Sequence, residues 1–414
     1  MSEKIDPINL LLTDRGKKWF EQFDFKDKET AERMISSLTL ISHSEFSRAV
    51  QRLLEFEVSK NNESIAFYSV RELNRNKDFF EQTCDIKSRK VQSLSFGSDH
   101  GSEAIIANLI RNFCKTDKNR LLNHPNLDQM RTQKCRTIIF VDDFIGSGNR
   151  MCDFLRSFWN HTTIKSWHSF KYIKFVVIAY SGTDSGIKNV ENHKINPVVI
   201  YERHCPSFSD MPWRSKYKSE MIDFFHEYGK KTCKKQTPLG YDSTMASIVF
   251  EHGCPNNVPP ILWAPDHKRA PWVALFPCRS VLSAEKSVFP PEITRRDSRV
   301  TLVSIGQKKI AISGALLRRG ETGETILLIL ALIAQGQRKQ TTLSYATGLN
   351  KEMCAKIIDK CIKWGFITQT KRLTETGSSE LQAAKKQRKN YKLKLPDRGE
   401  DYYYPKLLRG TAYG

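Results

Sequence analysis

Residues 137–150 read TIIFVDDFIGSGNR. Ile138, Ile139, Phe140 and Val141 form a run that is apolar on both faces, the pattern of a strand buried in a parallel sheet. Such sheets bind ligands where strands end at their carboxyl edge, and here that end is marked by Asp142 and Asp143. Adjacent carboxylates there accept hydrogen bonds from two neighbouring ribose hydroxyls, or hold Mg²⁺ through water. Gly146, Ser147 and Gly148 let backbone N–H groups converge on a phosphate at the start of a helix predicted over 150–159. Ser147 and Asn149 add side-chain donors, and Arg150 adds charge. Asp, Gly and Ser also favour plain turns for local reasons, and a lone DD or GSG would be read that way. The whole string, apolar run, acid pair and glycine-flanked helix start, points instead to a cradle for a ribose 5-phosphate.

On both sides of this string, short apolar runs alternate with helical stretches: IAFYSV, EAIIANLIRNF, RMCDFLRSFW, KFVVIAYS, PVVIY. Strands separated by helices imply crossover connections, so the fold class is α/β, a parallel sheet flanked by helices. Over 30–59, Met34, Leu38, Ile41, Phe46, Val50, Leu53 and Leu54 recur at helical spacing, predicting an N-terminal helical segment within 1–64. The α/β domain is placed at 65–290, with Leu239 to Trp263 read as a structural corner. A connector follows at 291–322, with two short strands expected at 300–305 and 309–313. From 323 to 395 a buried helix ending at Gly336, a second capped by Thr341 or Thr342, a third from Lys351, and two polar strands around Gly377 predict a winged helix-turn-helix. Residues 396–414, with Tyr402, Tyr403 and Tyr404, form a tail.

A chain of 414 residues suits two or three domains. The net charge of +21 makes a polyanion, nucleic acid first, the expected partner. From Arg338 onward there are 17 Lys and Arg against 7 Asp and Glu, close to half the chain's excess in a fifth of its length. Lys351, Lys356, Lys360 and Lys363 on the third helix and Lys371 and Arg372 in the wing are the candidate nucleic-acid contacts, placed for duplex DNA. Ten cysteines without a C-x-x-C pair give no zinc or redox signal. No stretch is apolar enough to span a membrane, and the N-terminus lacks a cleavable leader pattern, so a cytoplasmic location is expected.

The string at 137–150 resembles the phosphoribosyl pyrophosphate (PRPP) motif of type I phosphoribosyltransferases. That resemblance implies Asp142 and Asp143 as ribose-hydroxyl ligands, Gly146, Ser147, Gly148, Asn149 and Arg150 as the 5-phosphate loop, PRPP or a nucleotide as ligand, and Mg²⁺ at the acid pair. Gly146 stands where transferases often carry a catalytic acid or threonine, and Arg150 replaces a small hydroxyl residue, which favours binding over turnover. The pyrophosphate loop implied by the family is sought at 95–102, with Gly97, Ser98, His100 and Gly101. Together with segments 19–25, 239–263 and 272–279, the motif resembles phosphoribosyltransferase-like proteins of bacterial conflict systems. Some of these are fused to a winged helix and encoded beside retron reverse transcriptases. The resemblance implies an anti-phage effector, a retron-type toxin with msDNA or non-coding RNA as nucleic-acid partner, held inactive by the reverse transcriptase and its msDNA. A PRPP-sensing transcriptional regulator and a nucleotide-salvage transferase stay open as other classes, and so does a homo-oligomer.

Overall fold

The computed structural model describes residues 9–60, 62–84, 90–92, 101–232, 237–264, 272–290, 297–313, 316 and 320–386. At its centre lies β4 (Thr137–Ile145), buried along its whole length. It belongs to a five-stranded sheet with β2 (Ile65–Ser69), β3 (Leu121–Asn123), β5 (Lys174–Gly182) and β6 (Val198–His204), ordered β3-β2-β4-β5-β6. All four pairings are parallel. From β2 the chain crosses to β3 on one side and returns to β4 on the other, so the topological switch point, where parallel sheets hold ligands, falls between β2 and β4.

The pleat divides the strands' side chains between two layers. Phe67, Ile139, Val141, Ile178 and Tyr180 face one core, shared with α3 (His43–Val58), α5 (Ser102–Cys114) and α10 (Ser215–Thr232). Tyr68, Ile138, Phe140, Val177 and Ala179 face the other, covered by α4 (Phe79–Thr83), α7 (Asn149–Asn160), α8 (Thr162–Ser169) and α9 (Asp184–Glu191). On that second face Phe158 of α7 stacks on Phe79 at 3.9 Å and meets Tyr68 and Phe140 at 4.9 Å.

The N-terminal segment is less uniform than its spacing predicts. Helices α1 (Asp14–Glu21) and α2 (Lys28–Ser36) precede a short strand, β1 (Thr39–Ile41), which pairs in parallel with β7 (Ile248–Phe250) before α3 begins. Ser42 ends the strand and caps α3 by accepting from Glu45 N. Trp19 and Trp272 both donate to the Ile261 carbonyl at 2.9 Å, tying this segment to the α/β domain.

The connector also differs: 300–305 and 309–313 are helical, not strands. Asp297 caps α12 (Ser298–Ser304) by accepting from Arg299 N at 2.8 Å, and α13 (Lys308–Ala311) follows. Leu302 and Ile310 join the separate core of the C-terminal module, built from α14 (Gly320–Ala334), α15 (Gln340–Thr347), α16 (Lys351–Lys363) and α17 (Glu375–Lys386). The N-cap of α15 is Lys339; Thr341 and Thr342 lie buried within the helix. The expected wing is reduced to one antiparallel bridge, Ile367 with Leu373, around a tight turn. Its second strand is replaced by α17, because Thr374 Oγ1 accepts from Gly377 N and starts a helix there. No helix among the described residues is long and apolar enough to cross a membrane.

Phe158 is the hinge of the second face. Phe158→Ala should lower unfolding free energy by about 3–5 kcal/mol in urea titration, with an unchanged m-value.

Candidate functional site

Asp142 and Asp143 lie in the carboxyl-terminal half of β4, inside the sheet, 2% and 9% exposed. Three partners hold them. Arg150 Nη2 donates to Asp142 Oδ1 at 2.6 Å and lies 3.4 Å from Asp143 Oδ1. His252 Nε2 lies 3.1 Å from Asp143 Oδ2, its ring stacked on Phe250 at 5.1 Å. Burial pushes the Asp142 carboxyl above the usual range, against Arg150 and with help from the neighbouring Asp143 charge. Burial works to raise Asp143 as well, but the hydrogen bond and charge of His252, with Arg150, hold it well below that range. Asp142, above all, keeps Arg150 protonated. The guanidinium of Arg150 therefore points back onto the acid pair, rather than along the loop where a phosphate would sit.

That return is made possible by the loop. Gly148, at φ 80°, is the N-cap of α7, and no side chain caps the helix. Gly146 packs so closely on Asn257 that an added Cβ would collide with its side-chain oxygen. Asn257 is 3% exposed and donates to Tyr241 O at 3.2 Å and Thr244 Oγ1 at 3.1 Å, so it has little freedom to give way. Asn257 thus fills the space that a catalytic side chain at position 146 would need. On the other side α9 clamps the loop: Thr183 Oγ1 donates to Gly146 O at 2.5 Å, and Asn189 Nδ2 to Ser147 O at 2.9 Å and Asn149 Oδ1 at 3.2 Å.

Around the loop lies a cleft of about 600 Å³, lined by Asp142 to Met151 and, from elsewhere, by Glu72, Glu103, His252, Asn257 and Arg279 among others. His252 Nδ1 and Glu103 Oε2 are buried there with no hydrogen-bond partner among the described residues. On the far wall Cys278 and Arg279 sit at positive φ, strain of the kind that collects at ligand sites. Sequence reading took 239–263 as a corner; the parallel pairing of β7 with β1 is what carries His252 to Asp143. Gly101 lines the same cleft as the N-cap of α5. Gly97, Ser98 and His100 lie outside the described residues. His124 follows β3 directly, and its Nε2 accepts from the N–H of Ser69, the last residue of β2, at 3.0 Å while Nδ1 meets Asn123 Oδ1 at 2.7 Å. Burial first, then Arg71 and Arg111, push His124 down to about 3.

The six candidate contacts of the C-terminal module are not equivalent. Lys360, Lys363 and Arg372 are exposed, Lys356 is paired with Glu352, and Lys371 sits in the turn at φ 54°. Lys351 instead lies 3.8 Å from the Tyr201 ring of β6, and burial lowers its pKa. Around it the module is fastened to the α/β domain: Arg203 Nη1 donates to Gly348 O at 2.9 Å, Asn350 Nδ2 to Glu202 Oε1 at 3.0 Å, and Lys339 Nζ pairs with Asp210 at 2.6 Å. The amino-terminal end of α16, which a helix-turn-helix lays into the major groove, faces β6.

A family model described as PRTase-CE matches residues 17–277, and one described as wHTH-PRTase associated matches residues 327–410. No curated protein and no solved structure matches the chain.

Two outcomes are expected. Gly146→Ala should destabilise the protein, and Asn257→Ala should relieve part of that loss, giving a favourable coupling in a double-mutant cycle of thermal unfolding; strict additivity would contradict the contact. His124 stays neutral in the fold down to about 3, while in the unfolded chain it binds a proton near 6.5. The unfolded state then holds more protons, so stability falls as pH drops through that window, by at most ~1.4 kcal/mol per pH unit. In His124→Gln that acid limb should be flatter.

Proposed function

Because the chain belongs to the PRTase-CE family, we propose that its cleft binds a ribose 5-phosphate metabolite, PRPP or a nucleotide, and reads its presence rather than consuming it. The observation that carries this is the seat of Arg150 on Asp142 and Asp143. In this reading the ligand and Arg150 exchange partners. The ribose hydroxyls take the carboxylates, and the guanidinium turns to the 5-phosphate beside Gly146, Ser147, Gly148 and Asn149. The side chain that would drive transfer is missing at Gly146, and Asn257 stands in its place. Arg150 and His252 occupy Asp142 Oδ1 and both oxygens of Asp143, so in this reading Mg²⁺ enters with the ligand's phosphates.

The winged-helix module is the output. Its exposed Lys360, Lys363 and Arg372 suit a nucleic-acid backbone, and the docking of Lys351 on Tyr201 suits a state in which that output is withheld. α9 links the two, since it clamps the loop through Thr183 and Asn189 while its Asp184 meets His204 of β6 at 3.3 Å. The two family matches give the domain order, and in this reading the chain is an anti-phage effector, of the kind a reverse transcriptase and its msDNA restrain. Expression with the neighbouring genes should then lower phage plating, and an Asp142→Asn, Asp143→Asn variant should abolish protection; equal plating with and without the protein would refute the defence role.

The site itself is tested by calorimetry with PRPP and Mg²⁺. Arg150→Gln should weaken binding about tenfold to a hundredfold, the worth of a charge-assisted hydrogen bond, and Asp143→Asn by a similar factor. Unchanged affinity in both variants would refute the assignment.

A further inference from the structure

The opposite, amino-terminal edge of the sheet carries a feature that the ligand cleft does not use. Between α8 and β5, Phe170 is 67% exposed and Tyr172 52%, with ring centroids 5.8 Å apart and planes at 23°. Two aromatic rings are thus stacked on each other in solvent instead of against a core. Arg136 lies 5.5 Å from the Tyr172 ring and reaches the Tyr172 carbonyl at 3.4 Å. The register Thr137 opposite Lys174 brings Arg136 beside Lys174 at the starts of β4 and β5. Lys134 and Lys171 occupy left-handed turns at φ 48° and 56°, and both are exposed, as are Arg136 and Lys174. The nearby acid of α6 (Leu127–Thr132), Asp128, is engaged by Arg131 at 3.3 Å.

We propose that this edge is a docking surface for single-stranded nucleic acid, with unpaired bases stacking on Phe170 and Tyr172 and phosphates following Lys134, Arg136, Lys171 and Lys174. Exposed rings flanked by cations are what sequence-tolerant binding of a single strand requires, because every base offers a π-face. A duplex keeps those faces inside its own stack and would use only the cations. The chain's excess of positive charge supplies the attraction. The surface is separate from Lys360 and Lys363 of α16 and does not depend on the ligand reading of the cleft.

Fluorescence anisotropy of the full chain with labelled oligo(dT) and oligo(rU) 20-mers, and with a 20-base-pair duplex, tests this at low salt. Phe170→Ala with Tyr172→Ala should weaken single-strand binding tenfold or more and leave duplex binding within twofold. Lys134→Ala, Lys171→Ala and Lys174→Ala together should flatten the slope of log K against log salt for single strands by about 2. All five side chains are exposed, and unchanged thermal unfolding verifies that the variants fold. Lys360→Ala with Lys363→Ala, in the winged-helix module, should weaken the duplex, and the single-strand deficit of the aromatic variant should persist when the two sets of substitutions are combined. The comparison of dT with rU separates DNA from RNA as the strand. The proposal is overturned if neither single strand binds, if the aromatic variant binds as the wild type does, or if only the Lys360 and Lys363 variant loses single-strand affinity.

Discussion

Two adjacent carboxylates within a fully buried strand repel each other and lose their water, so a neighbouring cation has to compensate them. Arg150 does this for Asp142 and Asp143, and His252 shares the task at Asp143. Much of the site's construction serves that contact. The loop has to reverse through Gly148 so that the first turn of α7 returns Arg150 over the strand it has just left. β7 has to pair with β1 to deliver His252. Gly146 has to lack a side chain so that Asn257 can close the other wall. The acid pair is therefore at once a binding feature and a structural one, and a ligand that reaches it must replace the cation that already stabilises it.

This gives the cleft a reason to be coupled to the rest of the chain. The loop that positions Arg150 is gripped by α9, and α9 begins beside His204 of β6, the strand on which the C-terminal module is seated. Packed elements shift between discrete arrangements rather than deforming continuously, so a change in the seat of Arg150 has a short physical route to the docked helix α16. Charge-assisted contacts such as Lys339 with Asp210 and Asn350 with Glu202 make that interface sensitive to ionic strength at its rim.

Much of the architecture was legible in the sequence. The long buried strands β2, β4 and β5 and the helices between them announce themselves by apolar runs and period, and the acid pair with its glycines announces the site. Strands of three residues, β1 and β3, carry no period to read, and β1 hid inside a helical spacing that Ser42 interrupts. The wing was misread because Thr374 caps a helix in a stretch whose polarity also suits a hairpin. Arg150 stands in the first turn of α7, but whether it faces a phosphate or a carboxylate depends on burial of Asp142, which spacing does not encode. His252 and Asn257, more than a hundred residues downstream, reach the site only through the pairing of β7.

The account's central claim is that Arg150 exchanges the acid pair for a phosphate. A crystal structure with ribose 5-phosphate bound measures this directly. The account predicts Arg150 Nη2 moved from its 2.6 Å contact with Asp142 to hydrogen-bond distance of the phosphate, with both carboxylates on the ribose hydroxyls. A bound ligand with Arg150 still seated on Asp142, or a phosphate held away from Gly146 to Asn149, would contradict it.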